Sequence, residues 1–132
     1  VNEANLPVMG RNAQGPVLLR LLPGEAVVGA AGTTPEGSVL LATAQGQLKR
    51  LAVESLRRCQ RGDLGQIGLR FSERGDQLVD LRPGEAGLVA ALCSDGRSIR
   101  LAGQSLETAD DRAAGTNLSL SAGARLVELV LL

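Results

Sequence analysis

The sequence predicts an all-β protein built from a repeated unit of about 50 residues. A loop glycine recurs at Gly15, Gly65 and Gly115, in two steps of 50 residues. Apolar segments of strand length alternate with turns that contain Gly or Pro, and no amphipathic stretch has the length of a helix. A repeat of about 50 residues with about four strands has the size of one propeller blade. We therefore expect a partial β-propeller of about two and a half blades.

Other residues keep the same register and divide the chain into units. The repeat predicts a partial blade over residues 1–30, a complete blade over 31–80 and a nearly complete blade over 81–132. Because so few blades cannot close a ring, open strand edges need partners, and exchange between copies of the chain is one solution. A start partway through a repeat favours a piece of a larger protein. The matching positions are Leu6, Leu56 and Leu106; Gly46 and Gly96; Arg50 and Arg100; Leu51 and Leu101; Ser55 and Ser105.

The complete unit begins with a hairpin. Two apolar segments, Val39 to Thr43 and Leu48 to Ala52, flank the turn signal Gln45-Gly46. Val53 to Leu56 is interpreted as a single helical turn. In the next predicted strand, Ile67 to Phe71, apolar residues alternate with Gly68 and Arg70, so one face should pack while Arg70 points the other way. Gln77 to Leu81 completes the unit.

The flanking segments repeat parts of this pattern. Leu22-Pro23-Gly24-Glu25 is echoed 60 residues later by Arg82-Pro83-Gly84-Glu85, and Gly75 to Leu81 matches Gly123 to Leu129 at an offset of 48 residues. The remaining predicted strands are Pro16 to Leu22, Glu25 to Ala31, Leu88 to Cys93, Ile99 to Ala102, Asn117 to Leu120 and Arg125 to Leu132.

Charge is balanced over the chain but not along it. The 14 basic residues equal the 14 acidic ones, so the whole chain has no bulk attraction for polyanions. Between Lys49 and Arg70, however, six basic residues face two acidic ones, a local excess of four positive charges. Phosphate binding and a solvated polar face both explain this excess.

The two cysteines have no spacing typical of a metal site and no histidine to assist them. With no disulfide framework, they indicate a reducing compartment, and we expect a cytoplasmic protein. Cys93 ends an apolar strand and is interpreted as a small core residue. Cys59 lies among arginines, where an activated thiol is the alternative interpretation. No apolar run approaches the roughly 20 residues needed to span a bilayer, so no membrane partner is expected.

Enzymatic chemistry is not predicted. Without His or Tyr, the chain has no Ser-His or Cys-His pair and no tyrosine nucleophile. Asp110-Asp111 near Glu107 would suit a cation or a solvated loop, and neither a metal nor a cofactor is predicted. The loop glycines Gly62 and Gly65 are interpreted as positive-φ turn residues, with a phosphate cradle as the alternative. A single Phe and no Trp or Tyr argue against single-strand binding by base stacking.

The order of these features resembles a known family, the C-terminal β-pinwheel domain of bacterial type IIA topoisomerases, found in the DNA gyrase A subunit and its topoisomerase IV counterpart. The resemblance covers nearly the whole chain. The matching features are the apolar strand Val39 to Thr43, Gly46 with Lys49-Arg50, the turn Val53 to Leu56, Gln60-Arg61-Gly62 with Gly65, the strand Ile67 to Phe71, and the segment Gly24 to Ala30.

The resemblance implies a non-catalytic accessory domain that binds or bends duplex DNA through a basic outer rim. Its partners would be double-stranded DNA, read without sequence preference, and the other domains of an ATP-dependent topoisomerase at the bacterial nucleoid. Arginine and lysine would contact phosphates, so affinity should fall steeply with salt. The implied DNA-binding residues are Lys49, Arg50, Arg57, Arg58, Arg61 and Arg70, with Arg11 and Arg100 at the corresponding positions of the flanking units.

The sequence departs from the gyrase supercoiling box, Gln-Arg-Arg-Gly-Gly-Lys-Gly. Its nearest counterpart runs from Gln60 to Gly65, QRGDLG, which loses two basic positions and gains Asp63. Weak bending, or contact by a single blade, therefore fits better than tight wrapping. The alternative function is a structural β-repeat module that associates with sibling blades or with another copy, without nucleic acid.

Overall fold

The structure is a computed structural model that describes residues 1–85 and 87–132. The described part contains β strands and three short 3₁₀ turns, at Glu3–Asn5, Val53–Ser55 and Gly103–Ser105. The chain forms two compact units: the first comprises Val1–Ala26 and Arg57–Gln66, and the second comprises Val27–Leu56 and Ile67–Leu132. The strands are β1 (Ser38–Thr43), β2 (Gln47–Ala52), β3 (Leu78–Pro83), β4 (Leu88–Cys93), β5 (Ser98–Ala102), β6 (Thr108–Ala109), β7 (Thr116–Asn117) and β8 (Leu126–Leu131).

The first sheet of the second unit is centred on β1. β1 pairs antiparallel with β2 on one edge and with β3 on the other. The outer edge of β2 is covered by β6, which runs parallel to it, and by β7, which runs antiparallel. Because β6 and β7 lie between β5 and β8 in the sequence, the later repeat supplies two strands to the sheet of the earlier one.

The second sheet repeats the central part of the first. β4 pairs antiparallel with β5 and with β8, as β1 does with β2 and β3. The register of the β1–β3 pair shifts between Ala42 and Thr43, and that of the β4–β8 pair shifts between Leu92 and Cys93. These irregularities are 50 residues apart in sequence, so the repeat extends to the local backbone geometry. The number of blades in the intact fold stays a prediction.

Aliphatic side chains bury both faces of β1, as its uninterrupted apolar sequence requires. Leu40 and Ala42 pack with Leu48 and with residues of the second sheet, including Val89 and Leu129. The opposite face forms a smaller cluster of Val39, Leu41 and Leu51, covered by side chains that include Leu69 and Leu81. The core is built without Trp or Tyr, from small and branched aliphatic residues.

Two buried carboxylates fasten the strands to their neighbours. Asp76 accepts hydrogen bonds from the backbone N–H groups of Gln45 and Gln77, at 3.0 and 2.8 Å. Asp80 accepts from the N–H of Leu81 and, across to β8, from the N–H of Leu129, each at 2.8 Å. Hydrogen bonds to a charged acceptor are stronger than neutral ones, so Asp80 links the two sheets.

The segment from Ile67 to Phe71 is not a strand, contrary to its alternating sequence. The side-chain amide of Gln47 holds it beside β2, donating to the Arg70 carbonyl at 2.9 Å and accepting from the Ser72 N–H at 3.1 Å. Its packing also differs from the prediction, because Leu69 packs on the smaller cluster whereas Ile67 and Phe71 are exposed. Side chains of β2, rather than a backbone ladder, thus bond to this segment and to Ser72 beside it.

Two other predicted strands, Pro16 to Leu22 and Glu25 to Ala31, also lack regular pairing. Only Arg20 within them makes a β-bridge among the described residues, to Leu64. Asn117 to Leu120 is reduced to the end of β7, while the hairpins and the helical turn at Val53–Ser55 follow the sequence prediction.

The recurring glycines serve different local needs. Gly15 has a positive φ of 79°, the left-handed conformation expected of a turn glycine. Gly65 and Gly115 do not belong to the positive-φ glycines. A Cβ on Gly115 would collide with the carbonyl oxygen of Leu48, so this glycine permits close backbone approach to β2.

Candidate nucleic-acid interface

An arginine-bearing loop of the first unit runs from Arg57 to Gly65. Its tip is a turn in which the Asp63 N–H donates to the Gln60 carbonyl at 3.2 Å. The Asp63 carboxylate in turn accepts from the Gln60 N–H at 2.9 Å. The acid that departs from the supercoiling-box pattern therefore closes the turn that carries Arg61.

The start of the loop is fixed by a polar side chain. The side-chain oxygen of Gln66 accepts from the Arg57 N–H at 2.7 Å, which ties the two ends of the loop together. The side chains of Arg57, Arg58 and Arg61 are exposed. Three guanidinium groups thus extend from one short, internally bonded loop toward solvent.

Ion pairing leaves these arginines unneutralised. The first unit has five arginines against three acidic residues, a net charge of +2, whereas the second has nine basic residues against eleven acidic ones. Among the residues that the structure describes, the ion pairs are Arg50 with Glu85, Arg82 with Asp80 and Arg97 with Asp95, all in the second unit. Positive potential is therefore concentrated in the first unit.

Two further arginines belong to the first unit. Arg11 is exposed in a turn in which the Ala13 N–H donates to the Gly10 carbonyl at 3.1 Å. Arg20, which the sequence pattern did not select, is exposed, and its N–H donates to the Asp63 carbonyl at 3.0 Å. Nothing in the local sequence around Arg20 indicates this pairing across more than 40 residues.

Lys49 faces the protein rather than solvent. It is 2% exposed, and its Nζ donates to the Gly68 carbonyl at 2.9 Å. Burial lowers the pKa of the Lys49 ammonium, while Asp110 and Asp111 oppose that shift. Lys49 is two residues from the buried Leu51, and residues two apart point to the same face of a strand. This spacing is the feature of the sequence that indicates the orientation of Lys49.

Arg50 also binds protein groups of the second unit. Its Nε donates to the Ser38 hydroxyl at 2.9 Å, and its guanidinium lies 3.7 Å from the Glu85 carboxylate. Glu85 additionally accepts from the N–H and hydroxyl of Ser38. The Ser38 hydroxyl is the main cause that lowers the pKa of the Glu85 carboxyl, and the Arg50 charge adds to it. Arg50 therefore holds the start of β1 against the Gly84-Glu85 turn.

Arg70 and Arg100 are exposed members of the second unit. Arg70 lines an open groove of about 600 Å³, together with Ile67, Phe71 and Arg74. Arg100 lies on β5, in the register position of Arg50. At the position that would match Ser38, β4 has Leu88, so the hydroxyl that holds Arg50 has no counterpart beside Arg100.

The phosphate cradle considered for the loop glycines conflicts with the backbone bonding. The Gly62 N–H donates to the Leu18 carbonyl at 3.1 Å, so it is not free to bind an anion. Gly62 does have the positive φ predicted for it, 81°. Phosphate contact in this loop would therefore rest on side chains.

Asp110 and Cys93, two further residues singled out in the sequence, lie in ordinary surroundings. Asp110 caps a turn by accepting from the N–H groups of Arg112 and Ala113, and no three His, Cys, Asp or Glu side chains in residues 1–85 and 87–132 are arranged to hold a metal ion. Burial raises the pKa of the Cys93 thiol, as expected for a partly buried residue at the end of β4. Within the same ranges, no helix has the length and apolar character required to cross a membrane.

The predicted cations thus fall into three groups. Arg11, Arg57, Arg58 and Arg61 are exposed in the first unit, Arg70 and Arg100 are exposed in the second, and Lys49 and Arg50 bind protein groups.

Two solved structures share the fold. A crystal structure of the C-terminal domain of DNA topoisomerase IV aligns with 95% of this chain at a TM-score of 0.77 and 14% identity. A structure of the DNA gyrase A C-terminal domain aligns with 87% of it at a TM-score of 0.50 and 12% identity. The aligned regions cover 40% and 57% of those two chains, so this chain spans less than two thirds of either.

Sequence comparison assigns the family. No curated protein sequence matches the chain. The family model described as the DNA gyrase C-terminal domain, beta-propeller, matches residues 1–33 and 37–84, which is more than half of the chain. Together with the all-β fold, this match confirms the resemblance drawn from the repeat. The chain belongs to the family of DNA gyrase C-terminal β-propeller domains.

Proposed function

We propose that this chain is a non-catalytic module that binds duplex DNA for a type IIA topoisomerase. Contact is made to phosphates by exposed arginines, above all Arg57, Arg58 and Arg61, with Arg11 in the same unit. Arg70 and Arg100 supply weaker contacts from the second unit. Lys49 and Arg50 act instead as structural residues.

The observation that carries this proposal is the loop from Arg57 to Gly65. It holds three exposed arginines in the unit with net charge +2, and the ion pairs of the described residues lie outside this loop. Guanidinium groups match phosphate geometry and stay charged at every physiological pH. Contacts to phosphate carry no sequence information, so binding through phosphates should show little sequence preference.

Limited bending is the expected effect on DNA. Smooth bending of a duplex site costs on the order of 1–6 kcal/mol and requires a continuous cationic track to offset it. Fifty residues later in the repeat, the positions of Arg57 and Arg61 are taken by Glu107 and Asp111. The segment that contains Glu107 and Asp111 therefore does not repeat the cationic loop. We expect contact over a short stretch of duplex.

Salt titration of binding tests the proposal. The 132-residue chain would be titrated into a fluorescently labelled duplex at several salt concentrations, with a second duplex of unrelated sequence as the control. Each neutralised phosphate contributes about 0.9 to the slope of log affinity against log salt, so about three to four contacts predict a slope of roughly −3. Binding that ignores salt, or no binding at low salt, would refute the proposal.

The wider assignment follows from the family and the sequence. The chain lacks His and Tyr, which supports an accessory rather than a catalytic role. Its partners would be the remaining domains of an ATP-dependent topoisomerase, acting on the nucleoid in the bacterial cytoplasm. DNA topoisomerase IV and DNA gyrase A are the proteins named for the two similar structures.

One feature favours the second candidate, a structural repeat module. Within the described residues, β2 is covered on its outer edge by β6 and β7, whereas β5 at the equivalent place has no strand beside it. An open edge invites pairing with another strand. Sedimentation would distinguish the candidates: salt-insensitive dimers without DNA affinity would support the structural module, and DNA-binding monomers would exclude it.

A further inference from the structure

We infer that Arg20 is an additional phosphate-contacting residue, which the fold brings beside the loop that carries Arg61. The inference deepens the proposed function and rests on it. The charge pattern between Lys49 and Arg70 does not include this residue, whereas the 50-residue register places Arg20 at the position of Arg70.

Backbone pairing sets the position of Arg20. The segment Leu18 to Arg20 runs parallel to Gly62 to Leu64, with Leu18 accepting from the Gly62 N–H and Arg20 donating to the Asp63 carbonyl. Paired strands lie about 5 Å apart. Arg20 is thus one strand spacing from Leu64, its bridge partner, and its backbone N–H bonds to Asp63, the last residue of the turn that carries Arg61.

The surroundings of Arg20 leave its charge available. Its side chain is exposed, and the acid on the paired segment, Asp63, accepts from the Gln60 N–H through one carboxylate oxygen. Glu25, five residues away, likewise accepts from the Leu22 N–H through one oxygen, at 2.7 Å. The ion pairs of the described residues, Arg50 with Glu85, Arg82 with Asp80 and Arg97 with Asp95, do not include Arg20, so its charge is not neutralised by either neighbouring carboxylate.

Comparison of the repeats gives an independent reason. The segment Leu18 to Glu25, LLRLLPGE, aligns with 78–85, LVDLRPGE, and the second of these matches LVELV at 126–130. The central position is Arg20 in the first copy, Asp80 in the second and Glu128 in the third. Asp80 uses this position to accept the Leu129 N–H between sheets.

An arginine cannot perform that structural task. The guanidinium has five donors and no acceptor, so Arg20 cannot replace the carboxylate that receives a backbone N–H. The first copy has a permanent cation at an exposed place, where the other two copies have an acid, which would repel DNA. Arg20 has the opposite charge to Asp80, which has a structural role at the same repeat position. This difference favours phosphate binding over packing as the role of Arg20.

The test compares salt slopes of duplex binding for single variants of the full chain. Arg20→Ala should reduce the slope by about 1, as expected for one lost phosphate contact. Arg20→Lys should retain the slope, because an ammonium also displaces counterions, whereas Arg20→Glu, which restores the acid of the other copies, should weaken binding more than Arg20→Ala. Arg125→Ala, at an exposed arginine of the second unit, is the matched control and should leave the slope unchanged.

The outcomes separate this inference from the proposed function. If Arg61→Ala lowers the slope while Arg20→Ala does not, Arg20 is no phosphate contact and the inference fails alone. If the unaltered chain does not bind duplex DNA, both fail. If circular dichroism shows that Arg20→Ala is unfolded while Arg20→Lys and Arg20→Glu are folded, the salt slopes of the Lys and Glu variants decide. Equal salt slopes in these two variants would overturn the inference.

Discussion

Lys49 and Arg61 carry the same charge but stand in different surroundings. The Lys49 ammonium is 2% exposed and hydrogen-bonded to Gly68, whereas Arg61 extends from an exposed turn. A cation that reaches phosphate must be accessible, because binding strength comes from releasing counterions at the DNA surface. Accessibility therefore separates these residues, although both belong to the same basic stretch of sequence.

Substitution of Lys49 by Met tests this separation. The variant keeps the apolar stem and removes the ammonium, so we expect the salt slope of duplex binding to stay at its unaltered value. Arg61→Met, a matched change at an exposed site, should lower the slope by about 1. Equal reductions in the two variants would show that Lys49 reaches DNA.

The sequence predicted the cationic loop but not the burial of Lys49. Charge counting selected Arg57, Arg58 and Arg61 because neighbouring acids are few, and these residues are exposed. Lys49 shares a strand face with Leu51, but the carbonyl that its ammonium binds belongs to Gly68, 19 residues away, a partnership set by tertiary contacts. The pairing of Arg20 with Leu64 has no local signature, and the sequence signal for Arg20 is its register with Arg70, 50 residues later.

At the scale of elements, the pairing of β7 with β2 depends on close approach of their backbones. Gly115 precedes β7, and a Cβ there would meet the carbonyl of Leu48 and lie 3.1 Å from the Gln47 Cγ. Gly65 has the same repeat position, but the nearest atom to a Cβ added there would be the Leu19 Cδ1, at 3.9 Å. Gly115 and Gly65 therefore share a repeat position, but only at Gly115 would a Cβ collide with backbone.

The two glycines provide a matched pair of variants. Gly115→Ala should lower the free energy of unfolding by about 1–3 kcal/mol, because backbone on β2 must shift to admit the methyl group. Gly65→Ala should change it by less than about 0.5 kcal/mol. Urea unfolding followed by circular dichroism suits a chain without Trp or Tyr. Equal stability of both variants would argue against the close approach of Gly115 to β2.

The register position shared by Asp80 and Glu128 offers a second comparison. Asp80 is 6% exposed and receives two backbone N–H groups, whereas Glu128 is exposed on β8. Asp80→Ala should lower the free energy of unfolding by about 2–3 kcal/mol, since the buried N–H of Leu129 loses its acceptor. Glu128→Ala should cost less than about 0.5 kcal/mol. If Asp80→Ala is as mild as its control, this carboxylate does not join the sheets.

Local sequence predicted the hairpins because their signals are local. Val39 to Thr43 and Leu88 to Cys93 are continuous apolar runs followed by Gly turns, and both form strands with the expected partners. Ile67 to Phe71 has a strand-like alternation, but a Gln47 side chain occupies its backbone groups. β6 has two residues and pairs with β2 from more than 55 positions away, a partnership that no nearby residue specifies.

At the scale of the whole molecule, the chain is neutral, but its charge is divided unevenly between the two units. The first unit has a net charge of +2 and the second of −2, although the chain sums to zero. Overall charge would predict no affinity for DNA, whereas a local cationic loop can act within a Debye length of about 8 Å at physiological salt. The first unit must therefore dominate DNA binding if the Arg57–Arg61 loop is the contact.

Charge reversal in each unit tests that requirement most directly. One variant would carry Arg57→Glu, Arg58→Glu and Arg61→Glu, and its control would carry Arg74→Glu, Arg112→Glu and Arg125→Glu, at three exposed arginines of the second unit. The net charge changes equally, so nonspecific repulsion is matched, and circular dichroism would verify folding of both. We predict that duplex binding at low salt is abolished in the first variant and reduced by less than about tenfold in the control. Equal loss of binding in the two variants would contradict the assignment of DNA contact to the Arg57–Arg61 loop.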